Sequence, residues 1–152
     1  MQIAIAQIAG NKTFYQFEGA SSLHKQHLKG KNATIVKILV DTMFNICKKY
    51  IPKNEVIQFI KIDVEGGERN VLLGSDFEKY RPKVICIEAT KPFTMIPCHD
   101  LWEDILLKND YSFVYQYKVN RFYIDNRIPD LRKRFLLAEK AVEIFEKKHK
   151  KK

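Results

Sequence analysis

Residues 56–74, VIQFIKIDVEGGERNVLLG, constrain the fold of this chain more than any other stretch. An apolar run (Val56, Ile57, Phe59, Ile60, Ile62) stops at Asp63-Val64-Glu65-Gly66-Gly67-Glu68, and Val71-Leu72-Leu73 then precedes Gly74. That succession predicts a strand, a tight acidic turn and a short helix, with Val71-Leu72-Leu73 facing the core and Gly74 as C-cap. A near-continuous apolar strand suits a sheet covered on both faces, which means parallel strands with flanking helices. Ligands of such sheets bind just beyond the carboxyl ends of the strands, where Asp63 and Glu65 would stand. The same residues also fit a purely structural role. Asp63 can cap a helix, and Glu65 and Glu68 suit its positive N-terminus.

The flanking sequence predicts alternating elements. Gln2–Ile8 reads as a strand, Ala9-Gly10-Asn11 as a turn, and Thr13–Phe17 as a half-exposed strand. Residues 18–33 are polar and predict a long loop, in which Ser21 and Ser22 are candidate pocket residues. Ile35–Val40 is a strand, and Asp41-Thr42 caps a helix that Pro52 stops. After the acidic turn, Asp76–Tyr80 offers a further helical turn. Arg81-Pro82 then introduces a buried strand, Lys83–Glu88. Residues 89–98 form a loop. His99–Lys108 is a helix with Leu101, Trp102, Ile105 and Leu106 inward. Ser112–Val119 and Arg121–Asp125 pair around Asn120. From Pro129 the chain is helical, with Leu131, Phe135, Leu136, Ala138, Val142 and Phe145 in a stripe.

Composition narrows the class. With 152 residues, 45% hydrophobic and 30% charged, the chain can bury one real core. No apolar run reaches membrane-span length, and the N-terminus is an alternating strand rather than a signal peptide; both suggest a cytoplasmic protein. The net charge of +9 is uneven, because residues 132–152 carry nine Lys or Arg against three Glu. Such a tail can attract nucleic acid or anionic lipid. It reads first as a solvated helix with a Lys-rich end, so nucleic acid is not an expected partner. Cys47, Cys86 and Cys98 have no metal spacing and predict reduced thiols, with Cys86 in the core. His24 and His27 lie three apart without further ligands nearby, so no metal site is expected.

Phe59-Ile60-Lys61-Ile62-Asp63-Val64-Glu65-Gly66-Gly67-Glu68, then Val71-Leu72-Leu73-Gly74 and Arg81-Pro82-Lys83-Val84-Ile85-Cys86-Ile87-Glu88, form a series that resembles the second half of the FkbM family of S-adenosylmethionine-dependent methyltransferases. Ile3-Ala4-Ile5-Ala6, Gly10 and Thr13-Phe14-Tyr15 resemble that family's middle strand and its extension, so the likeness covers roughly residues 2–125. It implies a partial Rossmann-like, class I methyltransferase sheet of order 3-2-1-4-5-7-6, mostly parallel, closed by an antiparallel hairpin and a terminal helix. Domain limits of 1–128 for the methyltransferase part and 129–152 for the basic helix and tail follow.

The resemblance implies methyl transfer from S-adenosylmethionine to a hydroxyl on a small molecule or glycan. It also implies a departure. The family's glycine-rich cofactor loop has no counterpart, because no Gly-x-Gly occurs in the chain, so no cofactor-binding residue is carried over. The expectation is therefore an N-terminally truncated domain, weakly active or inactive alone. The missing strands would leave the edge of Val56–Ile62 bare. That edge would pair with Ile3–Ile8, with Ile35–Val40, or with a complementing chain or second copy.

The candidate catalytic residues are Asp63, Glu65 and Glu88. Glu88 would end the strand beside Val56–Ile62, and neighbouring strands lie about 4.8 Å apart, so the three carboxylates can share one crevice. One of them could orient or deprotonate an acceptor hydroxyl. His99 and Trp102 would line the acceptor pocket, although Trp102 also suits the core. A different reading is a non-catalytic interaction module, whose exposed sheet edge and basic tail bind protein or nucleic acid.

Overall fold

A computed structural model of the chain describes residues 4–17, 20–22, 34–137 and 140. The elements in order are β1 (Ala4–Ile5), β2 (Gly10–Phe17), β3 (Ala20–Ser22), β4 (Thr34–Asp41), α1 (Met43–Tyr50), β5 (Phe59–Ile62), α2 (Glu68–Leu73), β6 (Val84–Glu88), a 3-10 turn (His99–Leu101), α3 (Glu103–Lys108), β7 (Tyr111–Tyr117) and β8 (Asn120–Asp125). Residues 131–137 are helical.

The strands form two four-stranded sheets, ordered β1-β4-β2-β3 and β5-β6-β8-β7. This corrects the expectation of one mostly parallel sheet. Only β1–β4 and β5–β6 are parallel, and the other four pairings are antiparallel. Connection length explains it. Two residues separate β2 from β3 and β7 from β8, and a link that short can only reverse the chain. β5 and β6 are joined through α2, which gives room for a parallel crossover.

Several local expectations shift for physical reasons. Gly10 and Asn11 belong to β2 rather than a turn, paired with Val40 and Leu39 of β4. Ser21 and Ser22 lie in β3, inside the expected loop, opposite Gln16 and Tyr15; residues 18–19 and 23–33 lie outside the described residues. Ala4 and Ile5 pair with Val40 and Asp41, so neither β1 nor β4 pairs with β5. The other edge of β5 has no strand partner among the described residues.

β5 starts at Phe59, not Val56, and is covered on one face rather than two. Ile62 is buried and Ile60 half-buried, while Phe59 and Lys61 are exposed. Leu73 and Leu101 also face outward, not into the core. Each abuts residues that took the inward side of its short helix: Val71 and Leu72 in one case, Trp102 in the other. The hairpin turn falls at Lys118-Val119, with Lys118 at φ 54°, so Asn120 opens β8. Of the terminal stripe, Leu131 and Phe135 are half-buried and Leu136 is exposed; Phe135 packs on Tyr115 and Phe122. Ala138, Val142 and Phe145 lie outside the described residues.

The core joins Ile62, Val71, Leu72, Phe77, Ile85, Ile87, Trp102, Leu106, Tyr111 and Tyr123, with Ile5 and Met43 from the first half packed against it. Arg81 anchors its base. Its guanidinium contacts Asp125 at 2.7 Å, donates to the Asp110 carbonyl and lies 4.5 Å from the centre of the Tyr111 ring. The Tyr111 hydroxyl donates to the Pro82 carbonyl at 2.7 Å. Thr42 caps α1, its hydroxyl oxygen accepting from the Asn45 amide.

Gly74 joins the two halves. Its carbonyl accepts from the Phe44 amide at 2.9 Å, and a Cβ at Gly74 would lie 2.6 Å from the Ala6 carbonyl oxygen. Backbone cannot yield as a side chain can. Gly74→Ala should therefore destabilise the fold by about 1–3 kcal/mol, read as a lower urea midpoint; an unchanged midpoint would show that the two halves do not depend on this approach.

Candidate functional site

The parallel register of β5 and β6 pairs Ile62 with Ile87, so Asp63 and Glu88 leave the sheet side by side. Asp63, Glu65 and Glu88 each present a carboxylate oxygen, and these oxygens lie within 4.8 Å of one another. The three residues read from the sequence as one crevice are thus brought together. The spacing is close enough for them to share a proton or contact one small cation. His99 is half-buried in the 3-10 turn. Trp102 is 1% exposed and packs edge-to-face on Tyr123 within the core.

The turn that carries Asp63 and Glu65 is held by Glu68. This residue is 2% exposed, and its Oε1 accepts from the amides of Val64 and Gly66, each at 3.2 Å. Glu65 and Gly66 have φ of 52° and 90°. A glycine takes such a conformation freely, whereas a glutamate does so at a cost. The two amide bonds to Glu68 offset that cost and aim the Glu65 backbone back toward the strand. Gly67, not Asp63, is the N-cap of α2, and no side chain caps it. Asp63 instead contacts the Lys61 ammonium.

The electrostatics follow from that crowding. Burial, then repulsion from Asp63, Glu65 and Glu68, pushes the Glu88 carboxyl from its ordinary 4.5 up to about 7. Burial also raises Glu68, against the lowering effect of its amide bonds. Lys61 is raised, chiefly by its hydrogen bond to Asp63. Glu88 Oε2 is buried with no hydrogen-bond partner among the described residues, as is Oδ1 of Asn120, which stands directly opposite Glu88 in the β6–β8 register.

Sequence reasoning missed three contributors. Lys61 was legible, since alternation along a strand puts it on the same side as Asp63. Glu68 was read as a helix N-terminal charge, and only the folded turn reveals it as a clamp. Asn120 was not legible, because it comes opposite Glu88 through strand pairing 32 residues away in the chain.

Glu88 makes a pH prediction. Its proton is held more tightly in the folded chain than in the unfolded one, so its contribution to stability is full below about pH 4.5 and is lost as pH rises through about 7. The urea midpoint should decline across that window, and Glu88→Gln should make the decline smaller. An identical pH dependence in the variant would remove Glu88 as its source.

Two comparisons returned nothing: no curated protein and no solved structure matches the chain. The methyltransferase FkbM domain model matches residues 2–113, which include the first sheet, β5, the acidic turn, β6 and the start of β7, but not β8. With the strand, clamped turn and Glu88 strand all inside that match, the chain belongs to the FkbM methyltransferase domain family.

Proposed function

We propose that the crevice of Asp63, Glu65 and Glu88 is the acceptor side of a methyl-transfer site. The observation that carries this reading is the convergence of three carboxylates past the ends of two adjacent parallel strands. Family membership implies S-adenosylmethionine as methyl donor. That donor would supply the methyl group, and the residues of this chain would orient the acceptor hydroxyl and take its proton on a carboxylate. Glu88 is the best-placed base, because its raised proton affinity suits it to accept that proton near neutral pH. Asp63, held by Lys61, and Glu65 would orient the hydroxyl and face the positive sulfonium. His99 would line the acceptor pocket, and Trp102, buried in the core, would support it. The acceptor is a small molecule or glycan with a free hydroxyl, met in the cytoplasm. No helix among the described residues is long and apolar enough to cross a membrane, and the three cysteines are free and buried.

The order β5-β6-β8-β7 supports reading the second sheet as the 4-5-7-6 half of a Rossmann-like methyltransferase sheet. The cofactor half of the cleft is the part without a counterpart, since the sequence holds no Gly-x-Gly. We place a complementing chain or a second copy along the outer edge of β5, where Val56 and Phe59 expose apolar surface. The chain alone should then bind S-adenosylmethionine weakly or not at all, and micromolar affinity in a calorimetric titration would overturn that. Hydroxylated acceptors, screened by amide NMR, should shift signals of residues 63–66 and 88–90; acceptors that perturb other surfaces alone would sink the assignment of the crevice.

A further inference from the structure

The chain between Glu88 and His99 leaves the second sheet and returns as a narrow hairpin. Its two ends are tied where the Cys98 amide donates to the Ala89 carbonyl at 2.8 Å, and Thr90 bridges Pro97. Further out, the Lys91 amide donates to the Ile96 carbonyl at 2.8 Å. At the tip, the Thr94 hydroxyl donates to the Lys91 carbonyl, and its oxygen accepts from the Ile96 amide. These bonds fix the backbone and keep the tip outside the core. Phe93, Met95 and Ile96 are 52%, 71% and 54% exposed. Large apolar side chains held in water on an ordered hairpin mark a surface that binding would bury.

The hairpin is continuous with the crevice. It begins at the residue after Glu88 and ends at the residue before His99. At its base, the Cys98 thiol is raised to about 11 by burial, then by the charges of Glu68 and Glu88. Three residues of chain span at most about 10 Å, so Lys91 and its partner Ile96 stand within about 15 Å of Glu88. One small amphiphile can therefore reach both.

The sign of the charge narrows the occupant. Asp63, Glu65 and Glu68 all raise the proton affinity of Glu88, so the field there is negative. Such a field repels an anionic lipid surface or a phosphorylated acceptor and admits an uncharged one.

We propose that the hairpin of residues 89–98 is the apolar subsite of the acceptor site, and that the acceptor is an uncharged amphiphile whose hydroxyl enters the crevice of Asp63, Glu65 and Glu88 while its alkyl or aromatic body lies on Met95 and Ile96. This inference rests on the methyl-transfer reading above and narrows its acceptor class.

The test uses the full chain, without methyl donor, followed by amide NMR. Octyl glucoside below its micelle threshold should shift the signals of residues 91–96 together with 63–66 and 88. Methyl glucoside keeps the sugar hydroxyls and lacks the long chain. It should bind at least tenfold more weakly, the worth of about two buried methylenes. Octyl glucuronide, which adds a carboxylate, should also bind more weakly. The double variant Met95→Ser, Ile96→Ser alters exposed side chains outside the core. It should weaken octyl glucoside at least tenfold and leave methyl glucoside unchanged. No binding of octyl glucoside, or undiminished affinity in the double variant, overturns the subsite. So does pelleting with phosphatidylglycerol vesicles that the double variant loses, which would assign the hairpin to a membrane surface. Methyl glucoside shifting 63–66 and 88 as tightly as octyl glucoside removes the subsite alone and leaves the methyl-transfer reading standing. Octyl glucoside shifting 91–96 but neither 63–66 nor 88 counts against the crevice as acceptor site and removes this inference with it.

Discussion

The register of β5 against β6 is the constraint on which the rest of the site depends. Phe59 pairs with Val84 and Ile62 with Ile87. A slip of one residue would move every side chain of β5 to the other face. Ile62 would leave the core, and Asp63 would no longer stand beside Glu88. Burial of Ile62, Ile85 and Ile87 on one side of this pair therefore sets the position of carboxylates that contribute nothing to the core themselves. The base of the same sheet is pinned by Arg81. Its contact with Asp125 is nearly dry, with side chains 11% and 6% exposed. Such a pair adds little net stability, but losing one partner is costly, so it discriminates strongly against misplaced strands.

Against that fixed frame, the acidic turn is locally unfavourable. Glu65 takes a left-handed conformation, three carboxylates face one another, and Glu88 gains a proton affinity suited to neutral pH. Glu68 and Lys61 hold the arrangement in place, one through two amide hydrogen bonds and the other through charge. A structural cap alone would not need this. An ordinary helix start places its acids apart and exposed, whereas here they converge at the end of the crevice and one is held nearly buried behind them.

The first sheet relates to this site only indirectly. It meets the second at Gly74, where the Ala6 carbonyl approaches too closely for a side chain, and its strands satisfy one another rather than β5. The outer edge of β5 has no strand partner among the described residues, so neither β1 nor β4 contributes to the ladder that sets the carboxylates.

Much of this was legible in the residues. Apolar periodicity located the strands around 59–62 and 84–88, Pro52 and Pro82 bounded their neighbours, and the abrupt change at Asp63 marked the turn, because these are local consequences of burial and backbone geometry. The trio of Asp63, Glu65 and Glu88 followed from strand ends read together with the family resemblance, since the residues alone fitted a helix cap equally well. The sequence could not determine which strands paired. It left β1 and β4 as candidates for β5, when they instead satisfy each other, and it gave no sign that Asn120 stands opposite Glu88. Pairing and register depend on the competition of all strands for one another's backbone groups and for one core, so only the tertiary structure decides them, and with them which distant side chains face the carboxylates.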